Sequence, residues 1–335
     1  MEIRKVQVTG GSSYVISLPK SWINKLNVKK NDPLGIIIQS DGTLLITKKV
    51  DEGREERIIE INADTMDKPT YLFRCLIGAY VTGYKIIKIK SRTVISPFIR
   101  KVSRKFTQAT IGQEVVEETE NKITIKDLLN PVEMPFDKSI WRMHLIVKNM
   151  HKDAIRILKN RDKSLFEDIL SRDNDVDRLH WLIARQHNIV ARDLNLARKM
   201  GITAERVINY FLISRIIERI GDHAVKIAKN ILNFIDENID KKIINTIESA
   251  SNLALEMFDK SIVSFTERDT NSANKNIDSL IKLIPLCEEI NKLALQQKAA
   301  IAVSIGYIAE SIRRTGEYAT DISECAINHL ISERT

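Results

Sequence analysis

After Pro135 the chain stops offering places to turn. Residues 136–335 contain one proline, Pro285, and four glycines, Gly201, Gly221, Gly306 and Gly316, while apolar residues recur at helical spacing throughout. Such a stretch satisfies its backbone as long amphipathic helices, and short connections make those helices antiparallel bundle neighbours. The spacing predicts helices near 137–160, 163–199, 203–235, 241–267, 270–297 and 300–332. Gly201 reads as a stop, and Thr203 with Arg206 opens the next helix.

The helical stretch repeats itself. Residues 214–228, SRIIERIGDHAVKIA, align with 309–323, AESIRRTGEYATDIS. An Arg-x-Gly-acid core and the following Ala and Ile coincide, so the third and sixth helices take equivalent places in two three-helix halves. Gly221 and Gly316 cost helix stability at mid-helix. A close helix crossing is the structural reason expected for both.

Residues 1–50 have a different grammar. Val6 and Val8 share a face of a strand over Arg4–Thr9, Gly10-Gly11-Ser12 turns, and Tyr14–Leu18 is a second strand. A helix over Pro19–Leu26 follows, then strands Leu34–Ile38 and Thr43–Thr47 joined at Asp41-Gly42. Eight bases against three acids leave this segment at +5, out of +8 for the chain, and the excess suggests a polyanionic partner. A solvated basic surface would look the same. A segment this short buries too little to be stable alone, and strand exchange with a second copy would supply the missing cover. Arg4, Lys5 and Lys20, beside the Gly10–Ser13 turn and the helix start, are the candidate phosphate or base contacts. Ser12 and Ser13 are candidate hydrogen-bond donors to phosphate. Lys29, Lys30, Lys48 and Lys49 are assigned to solubility.

Residues 51–135 read as a small α/β unit. Strands over Arg57–Ile61 and Tyr84–Lys90 flank a helix near Pro69–Val81, Ser96 can cap a helix with Pro97 in its first turn, and a hairpin joins Gln113–Glu118 to Lys122–Lys126. Lys101, Arg104 and Lys105 form a modest basic face. The fold class is therefore multidomain and mainly α: an all-β head (1–50), an α/β middle unit (51–135) and a six-helix bundle (136–335).

Cys75, Cys287 and Cys325 are widely spaced and form no Cys-x-x-Cys pair, which argues against a disulfide framework or thiolate zinc site and for a reducing cytoplasm. Met-Glu-Ile-Arg-Lys at the start lacks a signal-peptide core, and no apolar run approaches a membrane span. No Gly-x-Gly-x-x-Gly loop, Walker lysine or local catalytic set appears, so an enzyme is not expected. Trp141, Trp181 and Tyr210 read as core or interface, and Cys287 and Cys325 as buried small hydrophobes.

Four carboxylates stand out. Asp173 and Asp177, and again Glu218 and Asp222, are four residues apart, so each pair shares one helix face. Like charges at that spacing repel. A hard cation such as iron, manganese, magnesium or calcium would relieve the repulsion, and so would an interhelical network with Arg215 and Arg219. His223 lacks the Glu-x-x-His spacing of di-iron bundles, which argues against a carboxylate-bridged oxidase and leaves it a structural or rim residue. In the second half Arg313 stands for Glu218, so at most one cluster is expected.

Two resemblances add to this reading. Residues 3–48, through RKVQVTGGSS, VISLPKSW and Asp41-Gly42, resemble the AbrB/MazE/SpoVT swapped-hairpin DNA-binding domains. Residues 136–332, through Asp175-Val176-Asp177-Arg178-Leu179, Arg185-Gln186, Glu218-Arg219-Ile220-Gly221-Asp222-His223-Ala224 and Ile322-Ser323-Glu324, resemble PhoU-type phosphate-signalling proteins. Together they look like archaeal PhoU-like regulators with an AbrB-type head. The resemblance implies a dimeric DNA-binding head and a bundle that senses or relays phosphate status, often through a phosphate transporter subunit or sensor kinase. It also implies metal clusters held by acid-x-x-x-acid pairs. The leading expectation is a transcriptional regulator of phosphate homeostasis. The alternative is an adaptor whose head only dimerises.

Overall fold

The computed structural model describes residues 2–38, 42–48 and 56–332. The chain divides into two compact units, Met1–Glu56 and Arg57–Thr335. No helix among the described residues is long and apolar enough to cross a membrane.

In the first unit β1 (Gln7–Thr9) and β2 (Ser13–Val15) pair antiparallel with Val8 opposite Tyr14. Gly10 and Gly11 make the turn at φ +64° and +85°, a conformation that side chains disfavour. Both strands are shorter than expected. Helix α1 (Lys20–Lys25) follows Pro19. Strands β3 (Gly35–Ile38) and β4 (Leu44–Thr47) pair with Ile36 opposite Ile46. Asp41 of the expected turn and Lys49 lie outside the described residues. Lys48 does more than solubilise: its Nζ donates to the carbonyls of Leu26 (3.1 Å) and Asn27 (2.8 Å), closing the C-terminal end of α1. Among the described residues of this unit Ile37 is the only buried hydrophobic, while Val8, Ile36 and Ile38 are each more than 60% exposed.

The second unit begins with a four-stranded sheet, ordered β5-β6-β8-β7: β5 (Ile58–Asn62), β6 (Ile86–Lys90), β7 (Gln113–Glu118) and β8 (Lys122–Asp127). β5 and β6 run parallel because helix α2 (Pro69–Val81) carries the chain between them; the other pairings are antiparallel. Helix α3 (Pro97–Ala109) precedes β7. Leu72, Leu76, Tyr80 and Phe106 of the helices bury against Ile87, Ile89, Ile123 and Ile125 of the sheet. Ser96 stands at the N-cap of α3, yet its hydroxyl makes no cap hydrogen bond, contrary to the expected cap.

The bundle consists of α4 (Phe136–Asn160), α5 (Leu165–Val190), α6 (Leu194–Lys199), α7 (Ala204–Leu232), α8 (Lys241–Glu267), α9 (Thr270–Asp278), α10 (Leu280–Ala294) and α11 (Ala299–Ser332). Two of the six expected helices are broken. The second stops at Val190 and restarts where the Asp193 side chain accepts the Leu196 N–H at 3.0 Å. The fifth breaks at Ser279; Pro285, which has no N–H for the carbonyl four residues back, lies inside α10. α4, α5 and α7 pack as one half, α8 to α11 as the other, and α7 against α11 and α4 against α8 join them. The halves echo each other down to their turns: α4 and α8 both end on an arginine in the left-handed region, Arg161 at φ +56° and Arg268 at φ +62°.

The α/β layer belongs to the same compact unit as the bundle. Phe73 of α2 meets Trp181 of α5 edge to face, with ring centroids 6.3 Å apart. Arg185 of α5 enters the layer, and Gln186 donates to the carbonyls of Pro131 (3.1 Å) and Met134 (2.8 Å) in the connection.

Candidate functional site

α5 and α7 are adjacent, and the crossing point is Gly221. A side chain there would start 3.3 Å from Val147 Cγ2 and 3.5 Å from Asp173 Oδ1, so its absence lets α7 approach both neighbours. The expected close crossing is present, and it sets Asp173 and Asp177 of α5 against Glu218 and Asp222 of α7. Their electrostatics show the proximity. Burial, then Asp222 and Glu218, pushes Asp173 up to about 6. Burial, then Asp173, Glu218 and Asp222, pushes Asp177 up to about 7. Glu218 is raised as well, chiefly by burial and against the pull of Arg215.

Neutralisation within the protein is partial: Arg215, Arg219 and Lys226 pull Glu218 down, and Arg215 pulls Asp177 down. Arg215 lies 3.5 Å from Glu218 Oε1, at the edge of an ion pair, and the other oxygen, Oε2, is buried without a hydrogen-bond partner. Arg219 points elsewhere, 6.0 Å from the centre of the Tyr318 ring. Arg215 thus reaches Glu218 of its own helix and acts on Asp177 across the crossing, a partial salt-bridge network that leaves the carboxylates with raised pKa values. No three His, Cys, Asp or Glu side chains among the described residues close into a set that could hold a metal ion. The donor chemistry, oxygen only with one orphaned buried oxygen, suits a hard cation better than zinc or copper.

His223 packs on the Tyr318 ring, centroids 5.8 Å apart, and burial above all, then Lys226 and Arg314, lowers its pKa to about 4. In the second half Arg313 binds Glu310 and Glu317 of its own helix, and Arg314 does the same at 3.0 Å. Gly316 again permits a close crossing, here against Leu283 and Leu280 of α10.

The head residues are spread along one small unit. Arg4 and Lys5 precede β1, Ser12 lies in the turn, Ser13 opens β2 opposite Thr9, and Lys20 opens α1; all five are exposed. Arg4 is already engaged, its guanidinium 2.7 Å from Glu2.

Sequence reasoning missed the joint. Arg185 Nη2 lies 2.5 Å from Asp127 Oδ2, and the same guanidinium donates to the carbonyls of Tyr80 and Tyr84. The partners lie 58 to 105 residues away, beyond any local pattern. Trp141, expected in a core or interface, is half exposed on α4, whereas Tyr210 and Cys287 are buried as expected. Cys325 is only partly buried.

Comparison with known proteins follows this geometry. Residues 7–54 match the family described as "Antidote-toxin recognition MazE, bacterial antitoxin". A phosphate-specific transport system accessory protein PhoU homolog of Clostridium acetobutylicum is 26% identical over 199 residues, 56% of this chain and 87% of that protein. One from Rhizobium meliloti is 22% identical over 56% of this chain and 80% of that protein. The crystal structure of PhoU from Pseudomonas aeruginosa superposes with a TM-score of 0.53 at 17% identity, covering 59% of this chain and 96% of that one, and shows the same fold. The PhoU domain matches residues 140–231 and 247–326, the two halves of the bundle and just over half of the sequence, so the chain belongs to the PhoU family.

Proposed function

We propose that this protein is a DNA-binding transcriptional regulator of phosphate uptake, of the archaeal two-part kind, with the bundle as sensor or relay and the head as a dimeric reader of DNA. The observation that carries the reading is the head itself. It matches a MazE-type domain, and it leaves Val8, Ile36 and Ile38 bare on strands too few to cover them. A second copy would cover those faces and double the local positive charge. Arg4, Lys5, Ser12, Ser13 and Lys20 are the proposed contacts to DNA. The protein would work in the cytoplasm without membrane insertion, and it would not be an enzyme.

Asp173, Asp177, Glu218 and Asp222 are the proposed ligands of a hard cation, iron, manganese or magnesium. Such an ion would supply positive charge at a crossing where carboxylates hold one another partly protonated. Closing the set requires side-chain movement at α5 and α7.

The test is to recover and sequence DNA bound to the protein in native cells. A discrete set of promoter sites supports the regulator. The alternative is an adaptor acting on a phosphate transporter subunit or sensor kinase; the relatives are named as accessory proteins of phosphate-specific transport systems. It requires enrichment of such a partner from native cells and no promoter sites.

A further inference from the structure

From Lys68 to Gln113 the chain holds ten lysines and arginines and not one aspartate or glutamate. The stretch spans α2, β6 and α3, all among the described residues. Half of its charges stand on the two helices: Arg74 on α2, and Arg100, Lys101, Arg104 and Lys105 on α3. Acids return on β7, and the register turns two of them away. Glu114 and Glu117 share the sheet face of Lys126, Thr124 and Lys122, opposite to the face on which Ile123 and Ile125 meet the helices. There Glu117 accepts from Thr124 at 3.0 Å and pairs with Lys122 at 2.6 Å. Glu118 is the carboxylate of β7 that reaches α3.

α3 spends its apolar side on its own layer, where Ile99, Val102 and Phe106 are buried. Its other side is a shallow groove lined by Arg100, Lys101, Arg104, Lys105 and Gln108. Arg100 is engaged: it binds Glu118 and donates to the carbonyls of Thr119 and Glu120. Arg104 lies 3.6 Å from the same carboxylate with 66% of its side chain exposed. Lys105 holds its ammonium 5.4 Å from the centre of the Phe73 ring, a contact that steadies the side chain and leaves its charge intact. Lys101 is exposed, without a partner among the described residues. One carboxylate thus serves two guanidiniums, and two ammonium groups beside them stay positive. The rungs at 100/101 and 104/105, with Gln108 next, follow one another at about 6 Å along the helix.

We infer that this face of α3 binds the sugar–phosphate backbone of duplex DNA without regard to sequence. One strand of a duplex places a phosphate every ~3.4 Å of its axis, so cations repeating at about 6 Å along a helix laid beside it meet separate phosphates. Arginine, lysine and glutamine side chains donate to phosphate oxygens, and such contacts carry no base sequence. An anionic lipid surface also offers charge, but a helix that lies on a membrane sinks an apolar face into it. The apolar face of α3 is already in the core, and no large hydrophobic of this helix is exposed. The surface is separate from the carboxylate crossing and from the residues proposed in the head, and it stands or falls without them.

Fluorescence anisotropy of the full chain with a labelled duplex of arbitrary sequence, over a salt series, tests it. Lys101→Gln with Arg104→Gln and Lys105→Gln should weaken binding roughly tenfold or more at low salt and lower the salt slope by about 0.9 for each lost phosphate contact. Lys101→Arg with Lys105→Arg should keep both affinity and slope. Should the triple change disturb folding, Lys101→Glu alone should still weaken binding severalfold. Adding the three α3 changes to a chain carrying Arg4→Ala, Lys5→Ala and Lys20→Ala should produce the same loss. Head changes that are silent while the α3 changes are not would sink the reading of the head and leave this one. The inference is overturned if the unchanged chain does not bind the duplex at low salt, or if the α3 variants, folded, bind with its affinity and slope. Loss of binding to phosphatidylserine vesicles with DNA binding intact overturns it too, and gives the face to a membrane.

Discussion

Arg185 and Asp127 meet at 2.5 Å where the α/β layer joins the bundle, and both side chains are almost wholly buried. The guanidinium also lies 4.9 Å from the centre of the Tyr80 ring. Two desolvated charges repay little beyond the cost of burying them, but removing one leaves the other stranded. Asp127→Ala should therefore destabilise the protein by about 3–5 kcal/mol, and Arg185→Met with Asp127→Leu should cost less than Asp127→Ala alone. Urea denaturation midpoints for the three proteins check this.

The repeated glycines make a second, graded prediction. Alanine is better than glycine in a helix by about 1 kcal/mol. At Gly306 the nearest atom to an added methyl is 3.8 Å away, so Gly306→Ala should gain most of that amount. At Gly221 the neighbour Val147 stands at 3.3 Å and must yield, so the change should come out near zero. At Gly316 the methyl would overlap Leu283, and overpacking should cost about 1–3 kcal/mol. Chemical denaturation ranks the three; any other order contradicts the crossing geometry.

Much of this architecture was legible because it is periodic. The long helices, the βαβ unit and the repeat at Gly221 and Gly316 follow from spacings within a few turns. The same locality explains the carboxylates, since four-residue spacing on two neighbouring helices is visible in one dimension. The break after Val190 was not legible, because apolar residues such as Leu196 and Ala197 continue the pattern across it and bury on the far side. Lys48 looked like a solvated charge because the carbonyls it closes lie 21 and 22 residues earlier. The Arg185 joint is assembled from elements distant in sequence, and no composition rule marks it.

Stability should fall on acidification through a named histidine. His151 is buried, hydrogen-bonded to Ser251 Oγ at 2.9 Å across the two halves, and burial lowers its pKa to about 4. Unfolded, it takes a proton near pH 6.5; folded, it resists until about 4. Its contribution is therefore complete above pH 6.5 and is lost as pH falls towards 4, an effect of about 3 kcal/mol. In His151→Gln the decline of stability between these pH values should flatten by that amount, read from denaturation at pH 7 and pH 4.5.

The carboxylate crossing gives the opposite slope and a handle on cations. Asp173, Asp177 and Glu218 hold raised pKa values, so without a cation their contribution to stability diminishes as pH rises from about 4 through about 7. A bound cation would favour the ionised form and offset that loss. Manganese or magnesium should raise Tm more at pH 7.5 than at pH 5. Glu218→Gln with Asp222→Asn should abolish the increment and the retention of metal after purification while leaving helix content unchanged. An equal increment in the double variant would place the cation elsewhere.

The head gives the last prediction. Ile36 and Ile38 share the outward face of β3, and the next residue of that face on β4, Leu44, is exposed too. Among the described residues, none of the head belongs to either large hydrophobic cluster of the second unit, so a change on this face leaves those cores intact. Ile36→Glu with Ile38→Glu sets like charges against each other if two copies meet there, and it should abolish tight DNA binding while far-ultraviolet circular dichroism stays that of a helical protein. Binding by the unchanged chain should weaken steeply with salt, because each neutralised phosphate releases about one counterion. Changing Arg4, Lys5 and Lys20 to alanine should reduce the salt slope by roughly one for each lost contact in each subunit, with Arg4 giving less because Glu2 already engages it. If the Ile36 and Ile38 variant still binds promoter DNA as the unchanged chain does, the reader of DNA is not an intertwined head.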